Sequence, residues 1–177
     1  MNIFFKSLLG VALVGAMLGL GGCGGGGTNP VPVSNGPTTL AGRLTTSSFY
    51  DSGTQRYYDI YVCDALSSDD ARVAMHSSDF DTQLYIYEKR SDGTYREIAS
   101  NDDAGSGTTD SDTTFSVSRG QTYRILATSA KANGDTGYYE IRFSDNLSKP
   151  AIVATGNVSA LKRAGNLPLP AAGKPGN

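Results

Sequence analysis

Aspartate is the chemistry-bearing residue that this chain has in surplus. Of 17 acidic residues, 14 are Asp and only three are Glu. Asp102 and Asp103 sit on one side of the Gly105-Ser106-Gly107 loop, and Asp110 and Asp112 on the other. Carboxylates packed this closely in sequence repel one another, and a divalent cation relieves that repulsion. Calcium takes six to eight oxygens from carboxylates, carbonyls and water on loops able to wrap it. The four aspartates therefore form a candidate calcium site, and Asp79 with Asp81 forms a second, smaller one. The spacing is not that of an EF-hand, which needs a 12-residue register closed by a bidentate Glu. A second reading stays open: Asp is also a good turn residue that accepts backbone N–H groups after strands.

Other chemistry has few residues to draw on. His76 is the single histidine, next to Ser77 and Ser78. A nucleophilic triad needs a base beside its nucleophile, but a histidine at a strand end reads more simply as a rim residue. One His and one free Cys fall short of the three or four ligands that zinc takes. Glu88, Glu97 and Glu140 lie in strand-like segments where surface positions account for them. The expectation is therefore a chain without catalytic activity, with an Asp-based hydrolase as the remaining enzymatic alternative. The ten tyrosines offer a different function. Tyr85, Tyr87 and Tyr95, with Tyr50, Tyr57 and Tyr138, fall where alternation points them outward. Such a stripe can stack on sugars or pack on extended peptides, although Tyr also suits half-exposed strands for reasons of β-propensity alone.

Charge and apolar runs divide the 177 residues into segments. Residues 38–147 carry a formal −7, while 148–177 hold four bases and no acid, and Lys6 is the remaining base. That acidic body excludes the basic footprint of a nucleic-acid binder. Lys6 followed by the uncharged stretch Leu8 to Leu20 reads as a secretory signal. As a helix the stretch would span roughly 20 Å, short of the ~30 Å of a bilayer core. Leu20-Gly21-Gly22-Cys23 resembles the lipobox of bacterial lipoproteins. Residues 1–22 are thus expected to be a lipoprotein signal peptide and Cys23 the lipidated residue. With Gly24, not Asp, after it, outer-membrane placement follows. Cys63 is then left without a disulfide partner and is expected to be a buried hydrophobe. Residues 23–37 read as a flexible Gly/Pro-rich tether, and 148–177 as a basic, disordered tail in which Ala151 to Ala154 could pair locally.

The elements that must position these residues are strands. Period-two alternation and turn formers mark Leu40–Phe49, Tyr57–Cys63, Arg72–His76, Gln83–Glu88, Tyr95–Ala99, Thr113–Val117, Thr122–Thr128 and Tyr138–Phe143. Inward faces follow: Val73/Met75, Leu84/Ile86, Phe115/Val117, Tyr123/Ile125/Ala127 and Tyr139/Ile141/Phe143. Ser91-Asp92-Gly93 reads as a hairpin turn. With no sustained helical period, the reading is an all-β antiparallel sandwich of about eight strands with disordered tails.

The order of motifs adds to this. Asp79-Phe80-Asp81-Thr82-Gln83-Leu84-Tyr85-Ile86-Tyr87 is followed by Ile98-Ala99-Ser100-Asn101-Asp102-Asp103, then Arg119-Gly120-Gln121-Thr122-Tyr123-Arg124-Ile125 and Gly137-Tyr138-Tyr139-Glu140-Ile141. Across residues 40–145 this resembles the bacterial pre-peptidase C-terminal domain, and Tyr57-Tyr58-Asp59-Ile60-Tyr61 resembles its early strand. The resemblance implies a jelly-roll sandwich. It also implies an accessory role beside secreted enzymes, with relatives that bind collagen and calcium. The sequence holds no peptidase domain, so the expectation is a module standing alone on a lipid anchor. It would be calcium-stabilised, held to the membrane by its lipid, and would bind an extracellular protein or a polysaccharide. A docking subunit for a separately encoded secreted peptidase is the alternative.

Overall fold

The computed structural model describes residues 36–132 and 134–153. The signal segment with Cys23, the tether as far as residue 35, Asn133 and the tail from residue 154 lie outside the described residues. Ten strands run β1 Thr38–Leu44, β2 Phe49–Asp51, β3 Arg56–Asp64, β4 Asp70–His76, β5 Thr82–Lys89, β6 Tyr95–Asn101, β7 Ser111–Ser116, β8 Thr122–Ser129, β9 Gly137–Phe143 and β10 Ala151–Ile152. Every pairing is antiparallel.

One sheet has the order β1-β9-β4-β7, and the other β10-β3-β8-β5-β6, with β2 also on β3. Among the described strands, only β2–β3 and β5–β6 are consecutive neighbours in one sheet; elsewhere the chain crosses to the other sheet. That is a jelly roll, a double-sheet arrangement of two Greek keys. The inward residues read from the alternation all lie in the core between the sheets, Val73, Ile125, Ala127, Ile141 and Phe143 with no exposed surface. Strict period two explains this, because one register of each strand must face the opposite sheet.

The β5–β6 hairpin is built as its turn residues dictate. Gly93 takes a φ of +83°, which costs glycine little. The Asp92 carboxylate accepts hydrogen bonds from the Thr94 N–H at 2.9 Å and hydroxyl at 2.7 Å. These bonds hold the Asp92 carboxyl below its ordinary pKa.

Two boundaries differ from the sequence reading. The expected strand Leu40–Phe49 is split, with β1 in one sheet and β2 in the other. Local hydroxyls take over the backbone between them. The Thr45 N–H donates to Ser48 Oγ at 3.0 Å, and the Ser47 N–H donates to Thr45 Oγ1 at 3.1 Å. Side chains that satisfy the backbone in this way compete with the ladder. The chain also stays on the sandwich beyond residue 147, where a disordered tail was expected to begin. The Ser148 N–H donates to Asp64 O and the Val153 N–H to Ile60 O, both at 2.8 Å. Strand β10 lies against Tyr61 and Val62 of β3, end to end with β2, which pairs with residues 56–58 of the same strand.

A second apolar cluster lies on the other face of the larger sheet: Phe49, Tyr58, Ile60, Tyr85, Tyr87, Tyr95 and Leu126, with Val153 packed against it. The larger sheet is therefore apolar on both faces.

Candidate functional site

The aspartates expected to gather around calcium are drawn into separate roles. Asp112 forms a two-point pair with Arg72 across the β4–β7 ladder, Arg72 Nε donating to Oδ1 at 2.7 Å and NH2 to Oδ2. Asp110 faces His76 Nδ1, with Oδ1 at 2.7 Å and Oδ2 at 2.8 Å. Asp79 Oδ2 accepts the Tyr138 N–H at 2.8 Å, in a contact so close that a Cβ at Gly137 would overlap the Asp79 side chain. Asp81 keeps one carboxylate oxygen buried without a hydrogen bond. Its pKa is raised by burial and by the charges of Asp103, Asp102 and Asp135, with Lys131 opposing. The two sequence clusters therefore act on one another only through the charges of Asp102 and Asp103 on Asp81, while Asp110 turns to His76 and Asp112 to Arg72. Among the described residues, no group of three or more His, Cys, Asp or Glu side chains is arranged to hold a metal. The turn-forming reading of Asp accounts for Asp92, a long-range backbone bond accounts for Asp79, and side-chain pairing with His76 and Arg72 accounts for Asp110 and Asp112.

His76 is largely exposed at the rim, as the simpler reading expected. Ser77 Oγ is engaged elsewhere, donating to Tyr138 O at 2.7 Å and accepting the Asp79 N–H at 3.1 Å. Cys63 is buried in the core, and burial pushes its thiol pKa up to about 12. It is the inert hydrophobe that the sequence suggested.

Tyr85, Tyr87 and Tyr95 do face away from the inter-sheet core and do come together. They are not an open ligand surface, because all three are buried. Tyr85 accepts from Arg56 NH1 at 3.1 Å, Tyr87 donates to Glu97 Oε2 at 3.1 Å, and the Arg124 guanidinium lies 3.8 Å from the Tyr95 ring centroid. Burial and Glu97 raise the Tyr87 pKa. Tyr50 and Tyr138 are the exposed members of the expected set.

The site that sequence reasoning missed lies at the seam between β1 and β3. Asp59 is buried in the inward register of β3, alongside Tyr61 and Cys63. From the other sheet, the Tyr139 hydroxyl donates to Asp59 Oδ2 at 2.6 Å and sits 2.7 Å from the Tyr61 hydroxyl. Gly42, paired with Tyr139 in the ladder, leaves room for this ring; a Cβ there would overlap it. Burial raises the Asp59 pKa, and the hydroxyls of Tyr139 and Ser48 pull it part of the way back. Burial and the adjacent Asp59 carboxyl raise that of Tyr139. The clasp opens onto a cavity of about 500 Å³ whose polar lining includes Arg43, Thr45, Ser47, Ser48, Asp59 and Tyr61. A buried carboxyl with a shifted pKa beside a concavity is a candidate binding site. The available signal was parity: Asp59 stands at an inward position, where an acid is costly to bury unless it is partnered.

No family model and no curated protein matches the chain. Among solved structures it is similar to the Yersinia pseudotuberculosis-derived mitogen, with a TM-score of 0.44 and 12% identity, over 66% of this chain and 97% of that one.

Proposed function

We propose that this chain is an exported, lipid-anchored, non-catalytic binding module of the cell envelope that takes a polysaccharide in the seam cavity. The observation that carries the reading is the Asp59 carboxyl, held by Tyr139 at 2.6 Å, in the lining of a cavity that also takes in Thr45, Ser47 and Ser48. Sugars present many hydroxyls that both donate and accept. The Asp59 carboxyl and the Thr45, Ser47 and Ser48 hydroxyls in the lining give them partners. Nothing in this set supplies an activated nucleophile, which is why binding is favoured over hydrolysis. The anchor rests on the Leu20-Gly21-Gly22-Cys23 lipobox, and the accessory character on the motif order that resembles pre-peptidase C-terminal domains.

Two measurements test the two halves. Metabolic labelling with palmitate should mark the protein and be lost in Cys23→Ser; label that persists in the variant contradicts the anchor. Titration with soluble N-acetylglucosamine oligomers should shift the NMR signals of Gly42, Ser48 and Tyr61. Shifts confined to other faces, or none, contradict the cavity.

A further inference from the structure

The outer face of the four-stranded sheet sets long charged side chains around one small residue. The β4–β9 and β4–β7 registers place Arg142, Ala74 and Asp112 in one row. Arg72 lies two residues from Ala74 on the same outward register of β4. Diagonal cross-strand neighbours such as Arg72 and Arg142 stand about 7–8 Å apart, within reach of two long side chains. Because alanine fills so little of its row, a cavity of about 250 Å³ opens there, lined by Pro37, Arg72, Ala74, Arg142 and Ser144. Its lining holds two guanidiniums and no carboxylate.

The two arginines are committed unequally. Asp112 fixes Arg72, taking Nε at 2.7 Å and NH2, which leaves NH1 without an acceptor among the described residues. Arg142 is exposed and makes no ion pair among the described residues. The acids nearest to it line a neighbouring cavity on the far side of Ala74, where Asp110 is spent on His76 and Asp112 on Arg72, and Glu140 is left over. The Ser144 hydroxyl is occupied as well, donating to Asn146 Oδ1 at 2.6 Å and accepting the Arg72 N–H at 3.0 Å. Arginine chemistry therefore decides what the cavity takes. A guanidinium stays charged at any ordinary pH, and its planar fork of donors matches the oxygens of a carboxylate or phosphate.

We propose that the cavity over Ala74 is an oxyanion site, in which Arg142 and the NH1 group of Arg72 clamp the carboxylate or phosphate of an anionic ligand. It shares no lining residue with the seam cavity and does not depend on the polysaccharide reading.

NMR of the full chain in mild detergent tests the site through arginine Nε–H and backbone amide signals. The probes are sodium phosphate and sodium glucuronate, each titrated at constant ionic strength made up with chloride, since general screening would otherwise move every exposed charge. Saturable shifts at Arg72, Ala74 and Arg142 with either probe support the site, and the tighter probe tells phosphate from carboxylate. Arg142→Gln should weaken that binding at least about ten-fold. Ala74→Glu sets a competing carboxylate opposite Arg142 in the ladder and should block it. Shifts that rise linearly without saturating, or that are as large at the remote Arg119, overturn the proposal on the parent protein alone. Unchanged affinity in a folded Arg142→Gln variant overturns it as well.

Discussion

At the residue scale, the seam depends on one acid being tolerated where an apolar side chain is normal. Asp59 is buried with a pKa raised chiefly by that burial, so the folded protein holds the proton more tightly than the unfolded chain does. The stabilising contribution of this proton is therefore present at low pH and is lost as pH rises through the raised folded value. Asp59→Asn has no proton to lose there. Denaturant melts from about pH 4 to about pH 7 should show a shallower decline for this variant than for the parent, and parallel profiles would contradict the assignment. Gly42→Ala drives a Cβ into the Tyr139 ring. Overpacking of this kind costs roughly 1–3 kcal/mol, read as a lower Tm, and an unchanged Tm would place the Tyr139 ring elsewhere. Cys63, buried with its thiol pushed up to about 12, should resist maleimide in the native protein and react only on unfolding.

At the element scale, the edge of β3 is shared by β2 and β10, and Val153 extends the second of these through one hydrogen bond to Ile60. Val153→Pro removes that donor. The expected loss is about 1 kcal/mol, visible as a fall of a few degrees in Tm, and no change would mean that this strand end carries no stability. The loop between β6 and β7 invites a different expectation. Since Asp110 and Asp112 are taken by His76 and Arg72, millimolar calcium should leave the unfolding temperature unchanged; a calcium-dependent rise would support the metal reading instead. The strands themselves were legible in the sequence, because period-two alternation fixes which residues face inward whatever their partners are. The break between β1 and β2 was hidden by a Thr-Thr-Ser-Ser run that suits a strand by propensity and a turn by side-chain hydrogen bonding. Burial of Tyr85, Tyr87 and Tyr95 was hidden for a related reason: alternation shows that two registers point opposite ways, but not that both are covered. Asp59 depended on Tyr139, 80 positions away in the chain, and no local pattern reports such a partner.

At the scale of the whole molecule, the jelly roll places its two most chemically distinctive features on different surfaces. The seam between the sheets holds the Asp59–Tyr139–Tyr61 clasp, and the tyrosines of the outer face are buried. A lipid at Cys23 would hold the module at the membrane while the seam stays open to envelope polymer. The most direct measurement of that account is co-sedimentation of the purified full chain with insoluble peptidoglycan sacculi, beside Asp59→Asn and Ser48→Ala variants whose Tm matches the parent. The account predicts that the parent sediments with the polymer and that both variants lose at least about ten-fold in affinity, roughly 1.4 kcal/mol. Equal sedimentation of parent and variants, or a parent that stays in the supernatant, would contradict it.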